Sequence, residues 1–239
     1  MRSLLKKSRF LTGLVKACRA LKDDLRVLRW SRAQAGQIAR YNAAHAVRKL
    51  HVGCGHNILD GWLNADIHPE QPGVLYLDAT APFPIPSASF DYIYSEHVIQ
   101  HFPFRAGLAM LSECCRILKP GGVLRLSTPN LLQLASLLTE RHGAAQTEYT
   151  RLVSDKYIPE NSGHLPAFVV NNFFWDFTHQ FVHDPESLRH ALKRAGFTQI
   201  DTVPIGGSTD GNLARLEHHG SIVGDTINEF ETMIFEARK

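Results

Sequence analysis

Residues 49–67 read KLHVGCGHNILDGWLNADI: a short apolar strand, two glycines around a cysteine, and a second apolar segment that ends at an aspartate. In an open α/β sheet, ligands bind beyond the carboxyl ends of the strands, and the loop after the first strand is the usual contact. Gly53 and Gly55 lack a Cβ atom, so they permit a tight turn and a close approach of backbone to ligand. A purely structural turn has the same letters, so the glycines alone leave both interpretations open.

Asp66 favours a ligand, because a carboxylate at the end of the second strand can accept hydrogen bonds from both hydroxyls of an adenosine ribose. The competing interpretation is an aspartate that caps a helix. A dinucleotide-binding turn would carry a third glycine and an acid about 20 residues further on. Here the third position is Asn57, and Asp66 follows Gly55 by eleven residues. The short gap disfavours a pyrophosphate on a long helix and is compatible with a nucleoside ligand that has no phosphates.

Beyond this stretch, apolar runs alternate with helical patterns, which is typical of a largely parallel sheet covered by helices. We expect helices over Arg105–Leu118, ended by Pro120-Gly121-Gly122, and from an Asp184 cap to Gly196. The last two strands have no helix-length apolar pattern between them, which predicts an antiparallel pair. The candidate strands are Lys49–Val52, Leu63–Asp66, Val74–Leu77, Phe90–Tyr94, Val123–Ser127, Gln199–Pro204 and Glu231–Ala237.

Composition indicates an ordinary soluble globular protein, with 239 residues of which 44% are hydrophobic and 21% charged. No apolar run approaches the roughly 20 residues needed to span a bilayer. The first 30 residues are interrupted by cations and lack the apolar centre of a secretory signal, which predicts a cytoplasmic protein. The four cysteines show no CxxC or Cys/His ligand spacing, so we expect neither a disulfide framework nor a metal site.

Charge is distributed unevenly. Residues 1–49 hold 13 of the 26 Lys and Arg residues but only 2 of the 23 Asp and Glu residues, so the remainder of the chain is acidic. We expect residues 1–47 to form a basic helical extension. Such a segment can lie on anionic lipid, contact nucleic acid or dock on a protein partner. Alternatively it is a solvated helix that packs on the body through Leu14, Val15, Leu21, Leu25 and Leu28.

Residues 48–239 form the expected main domain, and an insert at about 130–183 is too long for a simple connection. Insertions of that size are usually lids or binding loops. Within it, Asn171, Asn172 and Trp175 stand among several phenylalanines. Rings beside amides can stack on a sugar or planar acceptor, although aromatic stripes are more often core.

Four stretches together resemble the class I S-adenosylmethionine-dependent methyltransferases, and in particular small bacterial enzymes called predicted or glycan-locus methyltransferases. They are LHVGCGHNILDGWLNADI, YLDATAPFPIPSASFDYIYSEHVIQHF, LSECCRILKPGGVLRLSTPN and NNFFWDFTHQFVHDPESLRHALKRAGF. The resemblance extends over most of residues 48–239. It implies a Rossmann-like α/β fold with a seven-stranded, mostly parallel sheet whose last strand is antiparallel, and S-adenosylmethionine as cofactor.

The resemblance also implies roles for individual residues. The glycine turn would face the methionine part of the cofactor, Asp66 would hold the ribose, and Asp78 would lie near the adenine amino group. The acid that many members carry before the glycines is His51 here, so Glu96 or backbone carbonyls would have to hold the cofactor's ammonium. The predicted cofactor site comprises Gly53, Cys54, Gly55, Asp66, Ile67, Asp78, Ala79, Ser95 and Glu96.

Three histidines are candidates for a general base, which an alcohol acceptor requires and which imidazole suits near neutral pH. His97 and His101 follow the fourth strand and are expected one helical turn apart; His101 resembles a histidine that many family members carry. His179 belongs to the insert. Each can equally be a packing or capping residue. The predicted substrate-binding residues are Asn171, Asn172 and Trp175.

The leading hypothesis is O-methylation of a small molecule or glycan. A nucleic-acid methyltransferase is an alternative, weakened by the acidic body and by the lack of an Asn-Pro-Pro-Tyr-like motif. A cofactor-binding scaffold without catalysis, acting through a partner, is another. A nicotinamide oxidoreductase is the remaining competitor at the level of the fold.

Overall fold

The computed structural model describes residues 9–139 and 143–239. Its helices are α1 (Arg9–Ala44), α2 (Phe104–Ile117), α3 (Leu131–Ser136), α4 (Ala144–Tyr157), α5 (Pro166–Trp175), α6 (Pro185–Ala195), α7 (His219–Val223) and α8 (Asp225–Glu231). Its strands are β1 (Lys49–Val52), β2 (Leu63–Asp66), β3 (Leu75–Tyr76), β4 (Phe90–Glu96), β5 (Leu118–Pro129), β6 (Gln199–Val203) and β7 (Thr232–Arg238).

These strands form one sheet in the order β3-β2-β1-β4-β5-β7-β6. The neighbours from β3 to β5 pair in parallel, whereas β7 runs antiparallel to both β5 and β6. The predicted fold class is therefore confirmed, including the antiparallel last pair. The order reverses beside β1, so the loops after β1 and β4 open at a common switch point.

The predicted helices over the sheet are also present. Asp184 caps α6 by accepting a hydrogen bond from the Ser187 N–H at 2.8 Å, and Gly196 ends it with a left-handed φ of 107°. Between β6 and β7 the chain forms α7 and α8, two short helices that the apolar pattern did not predict. Among the described residues, no helix is both long enough and apolar enough to cross a membrane.

Within the predicted extension the described residues 9–44 form helix α1, but the interpretation that packs Leu21, Leu25 and Leu28 on the body is wrong. Leu21, Leu25 and Leu28 are 60%, 57% and 53% exposed. Helix α1 instead contacts the body through its second half, where Ile38 is buried and the Trp30 ring stacks on Tyr76 at 5.7 Å. The side chains of Leu14 and Val15 lie outside the described residues.

Helices α3 to α5 lie within the predicted insert and have a hydrophobic core of their own. That core includes Tyr149, Val169 and Phe173, and Ile227 of α8 joins it. Nothing in this arrangement tests the predicted limits of the extension, the main domain or the lid, which stay predictions.

Candidate active site

The loop after β1 is held by backbone hydrogen bonds to β2. The N–H groups of Gly53 and Cys54 both donate to the Ala65 carbonyl, at 2.8 and 3.0 Å. The Gly55 N–H donates to Asp66 Oδ2 at 2.9 Å. The early position of the aspartate thus has a local reason, since its carboxylate fastens the glycine turn.

Beside this turn lies a cavity of about 460 Å³, here called the cofactor cavity. It contains four of the predicted cofactor residues, Gly53, Cys54, Gly55 and Glu96, and Asp66 adjoins it through Gly55. Burial raises the pKa of the Cys54 thiol to about 12, so the thiol is uncharged at pH 7. Its full lining is His51, Gly53, Cys54, Gly55, His56, Asn57, Glu96, His97, His218, His219 and Ile222.

The other predicted cofactor residues lie outside this lining. Asp78 accepts hydrogen bonds from the N–H and hydroxyl of Thr80, at 2.8 and 2.6 Å. Ser95 is fully buried, and its hydroxyl has no partner. Ile67 is half exposed, and Ala79 is buried. Their roles toward a cofactor stay predictions.

His51 lines the cavity at the position where the resemblance implied an acid. Its Nδ1 lies 3.3 Å from the Asn64 side-chain oxygen, and burial lowers its pKa to about 4, so the imidazole is neutral at pH 7. Asn64 also accepts from the Leu59 N–H at 3.0 Å, which orders the loop before β2. No negative charge is therefore present at this point of the wall.

Glu96 is engaged with the chain itself. Its carboxylate accepts hydrogen bonds from the N–H groups of His218 and His219, at 2.9 to 3.0 Å. Burial raises the pKa of Glu96, and these backbone donors oppose that shift. The carboxylate at the end of β4 thus fixes the start of α7 against the cavity.

A second cavity of about 370 Å³, here called the acceptor cavity, adjoins the first. His97, His219 and Ile222 line both cavities. The remaining lining consists of Gln100, His101, Pro129, Tyr157, Phe173, Phe177, His179, Val223 and Glu231. The structure therefore brings all three predicted catalytic histidines to one space.

His97 has a left-handed φ of 51° and precedes a short 3₁₀ turn at Ile99–His101, so the predicted α-helical spacing of His97 and His101 is wrong. Its Nε2 lies 3.0 Å from the Thr232 hydroxyl. Burial lowers its pKa well below the ordinary value, and the nearby histidines add to this effect. The ring is therefore neutral at pH 7.

His101 and His179 form a second pair, with ring centroids 4.9 Å apart. Burial lowers the pKa of His101, and lowers that of His179 to about 3. The Nδ1 atom of His179 is buried and has no hydrogen-bond partner among the described residues.

Two functional candidates escaped the sequence reasoning. His219 Nε2 lies 3.0 Å from Glu231 Oε1, and the buried Glu231 also accepts a 2.6 Å hydrogen bond from the Tyr149 hydroxyl. The His219 ring stacks on His97, with centroids 3.7 Å apart and planes 20° apart. The one indication in the sequence was that Glu231 begins a predicted apolar strand, which is an unusual place for a charged residue.

The cluster raises the question of a metal ion. Ligand atoms of His97, His219 and Glu231 lie within 4.8 Å of one another. An imidazole binds metal through a nitrogen lone pair that lies in the ring plane. Because these two rings lie face to face, one ion between them would be out of both planes. The arrangement favours the hydrogen bond between His219 and Glu231 over coordination.

The predicted substrate residues are placed apart from the histidines. Asn171, Asn172 and Trp175 line another cavity, of about 410 Å³, beside α5. Trp175 is 79% exposed, and Asn171 donates to the Ala167 carbonyl of its own helix. The same helix instead turns Phe173 into the acceptor cavity.

Comparisons with known proteins identify the family to which the chain belongs. A protein-family model described as "Methyltransferase domain" matches residues 26–202. A curated protein of Mycolicibacterium smegmatis, described as a "Probable S-adenosylmethionine-dependent methyltransferase/", is 46% identical over 99 residues. That match covers 34% of this chain, and the chain spans about 37% of the length of that relative.

Two solved structures resemble the fold. A SAM-dependent methyltransferase from Archaeoglobus fulgidus is 18% identical, with a TM-score of 0.48, over 90% of this chain and 94% of its own. A phosphoethanolamine N-methyltransferase from Haemonchus contortus, in complex with S-adenosylhomocysteine, is 16% identical, with a TM-score of 0.47, over 81% of this chain and 48% of its own. With identities below 25% and TM-scores below 0.5, neither structure is used to assign the family.

The sheet order and the glycine turn define a Rossmann-like methyltransferase fold. The family match makes the class specific: this chain belongs to the family of methyltransferase domains, within the class I S-adenosylmethionine-dependent group. The predicted cofactor, S-adenosylmethionine, follows from that membership.

Proposed function

We propose that this protein transfers a methyl group from S-adenosylmethionine to a hydroxyl oxygen of a small molecule or glycan, with His219 as the general base. One observation carries the proposal. His219 stands at the junction of the cofactor and acceptor cavities, and a buried carboxylate orients its ring.

The cofactor cavity has the elements that an adenosyl sulfonium requires. Bound S-adenosylmethionine supplies an electrophilic methyl group on sulfur. Gly53 and Gly55 let the backbone approach it closely, and Asp66 retains acceptor lone pairs for the ribose while it holds Gly55. Glu96 lines the same cavity and is the carboxylate available to the ammonium group.

The acceptor cavity is mostly aromatic, and Tyr157, Phe173 and Phe177 line it together with four histidines. Rings of this kind stack on sugars and planar molecules, and a few polar groups fix their hydroxyls. His101 and His179 are the polar groups that we assign to this orientation. Holding an acceptor oxygen in line with the methyl group can lower the activation barrier by several kcal/mol, roughly 7 to 11 in the best intramolecular reactions.

The proton has a defined destination. Bound S-adenosylmethionine would supply the methyl group and its sulfur would keep the electron pair of the broken carbon–sulfur bond, so the methylated oxygen would have a proton to release. With Nε2–H donated to Glu231, the lone pair on Nδ1 of His219 takes the hydroxyl proton. Glu231 then accepts a charge-assisted hydrogen bond from the imidazolium ring.

The proposed base, His219, is not one of the three histidines predicted from the sequence. A general base is most effective when its pKa lies near the working pH. The pKa of His179 is lowered to about 3 and that of His97 lies well below the ordinary value, so both are weak bases. A neutral His97 also leaves the His219 ring without a cationic neighbour when that ring is protonated.

The test is a screen with isotopically labelled methyl donor against hydroxyl, amine, thiol and oligonucleotide acceptors, with the methylated atom identified by mass spectrometry and NMR. On the acceptor found, His219→Ala should lower turnover by about 10² to 10⁴. Calorimetry should find its cofactor affinity within a few-fold of wild type. His190→Ala, which changes an exposed histidine on α6, is the control.

Each other outcome counts against the proposal. Label on nitrogen, carbon or a nucleic acid would replace the acceptor class. Wild-type turnover in His219→Ala would move the base elsewhere. Cofactor binding without transfer to any acceptor, with a stoichiometric protein partner, would favour the non-catalytic scaffold.

A further inference from the structure

Helix α1 carries an apolar stripe on the side that faces away from the body. Leu21, Leu25 and Leu28 follow one another at intervals of four and three residues and are all more than half exposed. At about 100° per residue, they fall within an arc of roughly 60°. Trp30, which stacks on the body, lies about 180° from Leu21 on the same count.

The spacing of the stripe continues in the sequence. Residues 11 to 28 hold apolar residues at every position of an alternating three- and four-residue pattern, which is the a and d pattern of a coiled coil. Three leucines stand seven residues apart in the d positions. The a positions are Leu11, Cys18 and Leu25, and the d positions are Leu14, Leu21 and Leu28.

The flanking charges suit a parallel pair of such helices. In this register Asp24 holds a g position and Arg29 holds the e position five residues later. Side chains at g and e of opposite helices meet in parallel coiled coils and set partner choice. Asp24 of one copy would face Arg29 of the other, twice by symmetry.

We propose that α1 forms a parallel, two-stranded coiled coil with α1 of a second copy of this chain. Between Leu21 and Leu28 the stripe is flanked by charged residues, Lys22 at e and Asp24 at g, which is typical of a coiled-coil seam. A helix that lies on a lipid surface presents a broader apolar face. Leu21, Leu25 and Leu28 lie on the side of α1 opposite Trp30, so pairing through them leaves the contact of α1 with the body in place.

Sedimentation equilibrium over a wide range of protein concentration tests this without any need for activity. We expect wild type to approach twice the 26.8 kDa mass of one chain. Leu21→Glu with Leu28→Glu should keep it monomeric over the same range. Ala33→Glu, at an exposed position of α1 off the stripe, should stay dimeric. Unchanged thermal unfolding of the body would show that the leucine variant is folded.

A charge exchange tests the register. Asp24→Lys and Arg29→Asp should each raise the dimer dissociation constant about tenfold, because attractive pairs become repulsive. The double variant should return to within a few-fold of wild type. A double variant that associates as weakly as the single variants would rule out the parallel register.

Three results would overturn the proposal. One is a monomer at every concentration, and another is a dimer that persists in the leucine variant. The third is association of α1 only with vesicles of phosphatidylglycerol and phosphatidylcholine, or with DNA, lost at high salt. The last result would assign the basic helix to an anionic surface instead.

Discussion

The hydroxyl of Tyr149 donates a 2.6 Å hydrogen bond to Glu231, the carboxylate that also holds His219. Tyr149 belongs to α4 of the insert, whereas Glu231 ends α8 beside the sheet. Both side chains are buried. One carboxylate therefore joins the insert to the residue that we propose as the base.

Tyr149→Phe should lower the free energy of unfolding by about 1.5 to 3 kcal/mol, since it removes a hydrogen bond to a buried carboxylate. Urea denaturation measures the change. Tyr157→Phe removes a hydroxyl from the same helix and serves as the control. Equal stability of Tyr149→Phe and wild type would mean that water replaces the hydroxyl.

Gly53→Ala should prevent the glycine turn from closing. A Cβ atom there would lie 2.2 Å from Val98 Cγ2, and φ is 72°. Gly55→Ala has φ of 50° but nothing within 4 Å, so it carries the left-handed penalty alone, about 1 to 2 kcal/mol. The free energy of unfolding and the cofactor affinity should both fall further for Gly53→Ala than for Gly55→Ala.

Gly53→Ala with Val98→Ala provides the matched test of that contact. The second substitution removes the clashing methyl groups and should recover part of the lost affinity, leaving a deficit near that of Gly55→Ala. Losses that simply add in the double variant would contradict the steric explanation.

Asp66→Ala should weaken binding of S-adenosylmethionine at least tenfold. The substitution removes charge-assisted hydrogen bonds to the ribose, worth about 1.5 to 3 kcal/mol, and also frees the Gly55 N–H. Calorimetric titration measures the affinity, and Asp60→Ala, at an exposed position of the same loop, is the control. Unchanged affinity in Asp66→Ala would refute the ribose role.

Stability should fall as the pH is lowered, in part through His51. Its pKa is about 4 in the native protein and about 6.5 in an unfolded chain, so only the unfolded state gains a proton between those values. The free energy of unfolding therefore falls by up to about 1.4 kcal/mol for each pH unit as the pH drops from about 6.5 to about 4. Above about pH 6.5 the contribution of His51 is fully present.

His51→Gln keeps a polar side chain near Asn64 but cannot take up the proton. Unfolding free energies measured from about pH 7 to pH 5 should depend less steeply on pH in this variant. His68→Gln, at an exposed position, should keep the wild-type slope. Parallel curves for all three proteins would assign the acid sensitivity to other groups.

The sheet could be predicted from sequence because its signals are local. Each strand is a short apolar run, and the caps at Asp184 and Gly196 depend on neighbours within one helical turn. The same holds for the glycine turn, where Gly55 and Asp66 are eleven residues apart and one hydrogen bond joins them.

The face of a helix could not be decided in the same way. Phe173 and Trp175 belong to one aromatic run, yet Phe173 is buried against the acceptor cavity and Trp175 is mostly exposed. Likewise Leu21, Leu25 and Leu28 of α1 are exposed, although one interpretation of the sequence packed them on the body. Only the position of the neighbouring elements determines which side of an amphipathic helix is covered.

Local patterns of residues were enough to predict the α/β fold, the glycine turn with its aspartate, and His97 and His101 after the fourth strand. Tertiary structure alone decided that His219 and Glu231 complete that group, and that Asn171, Asn172 and Trp175 lie elsewhere. The physical reason is distance along the chain. His219 stacks on His97 from 122 residues away, as Glu96 holds the backbone of His218, and no local pattern records such a contact.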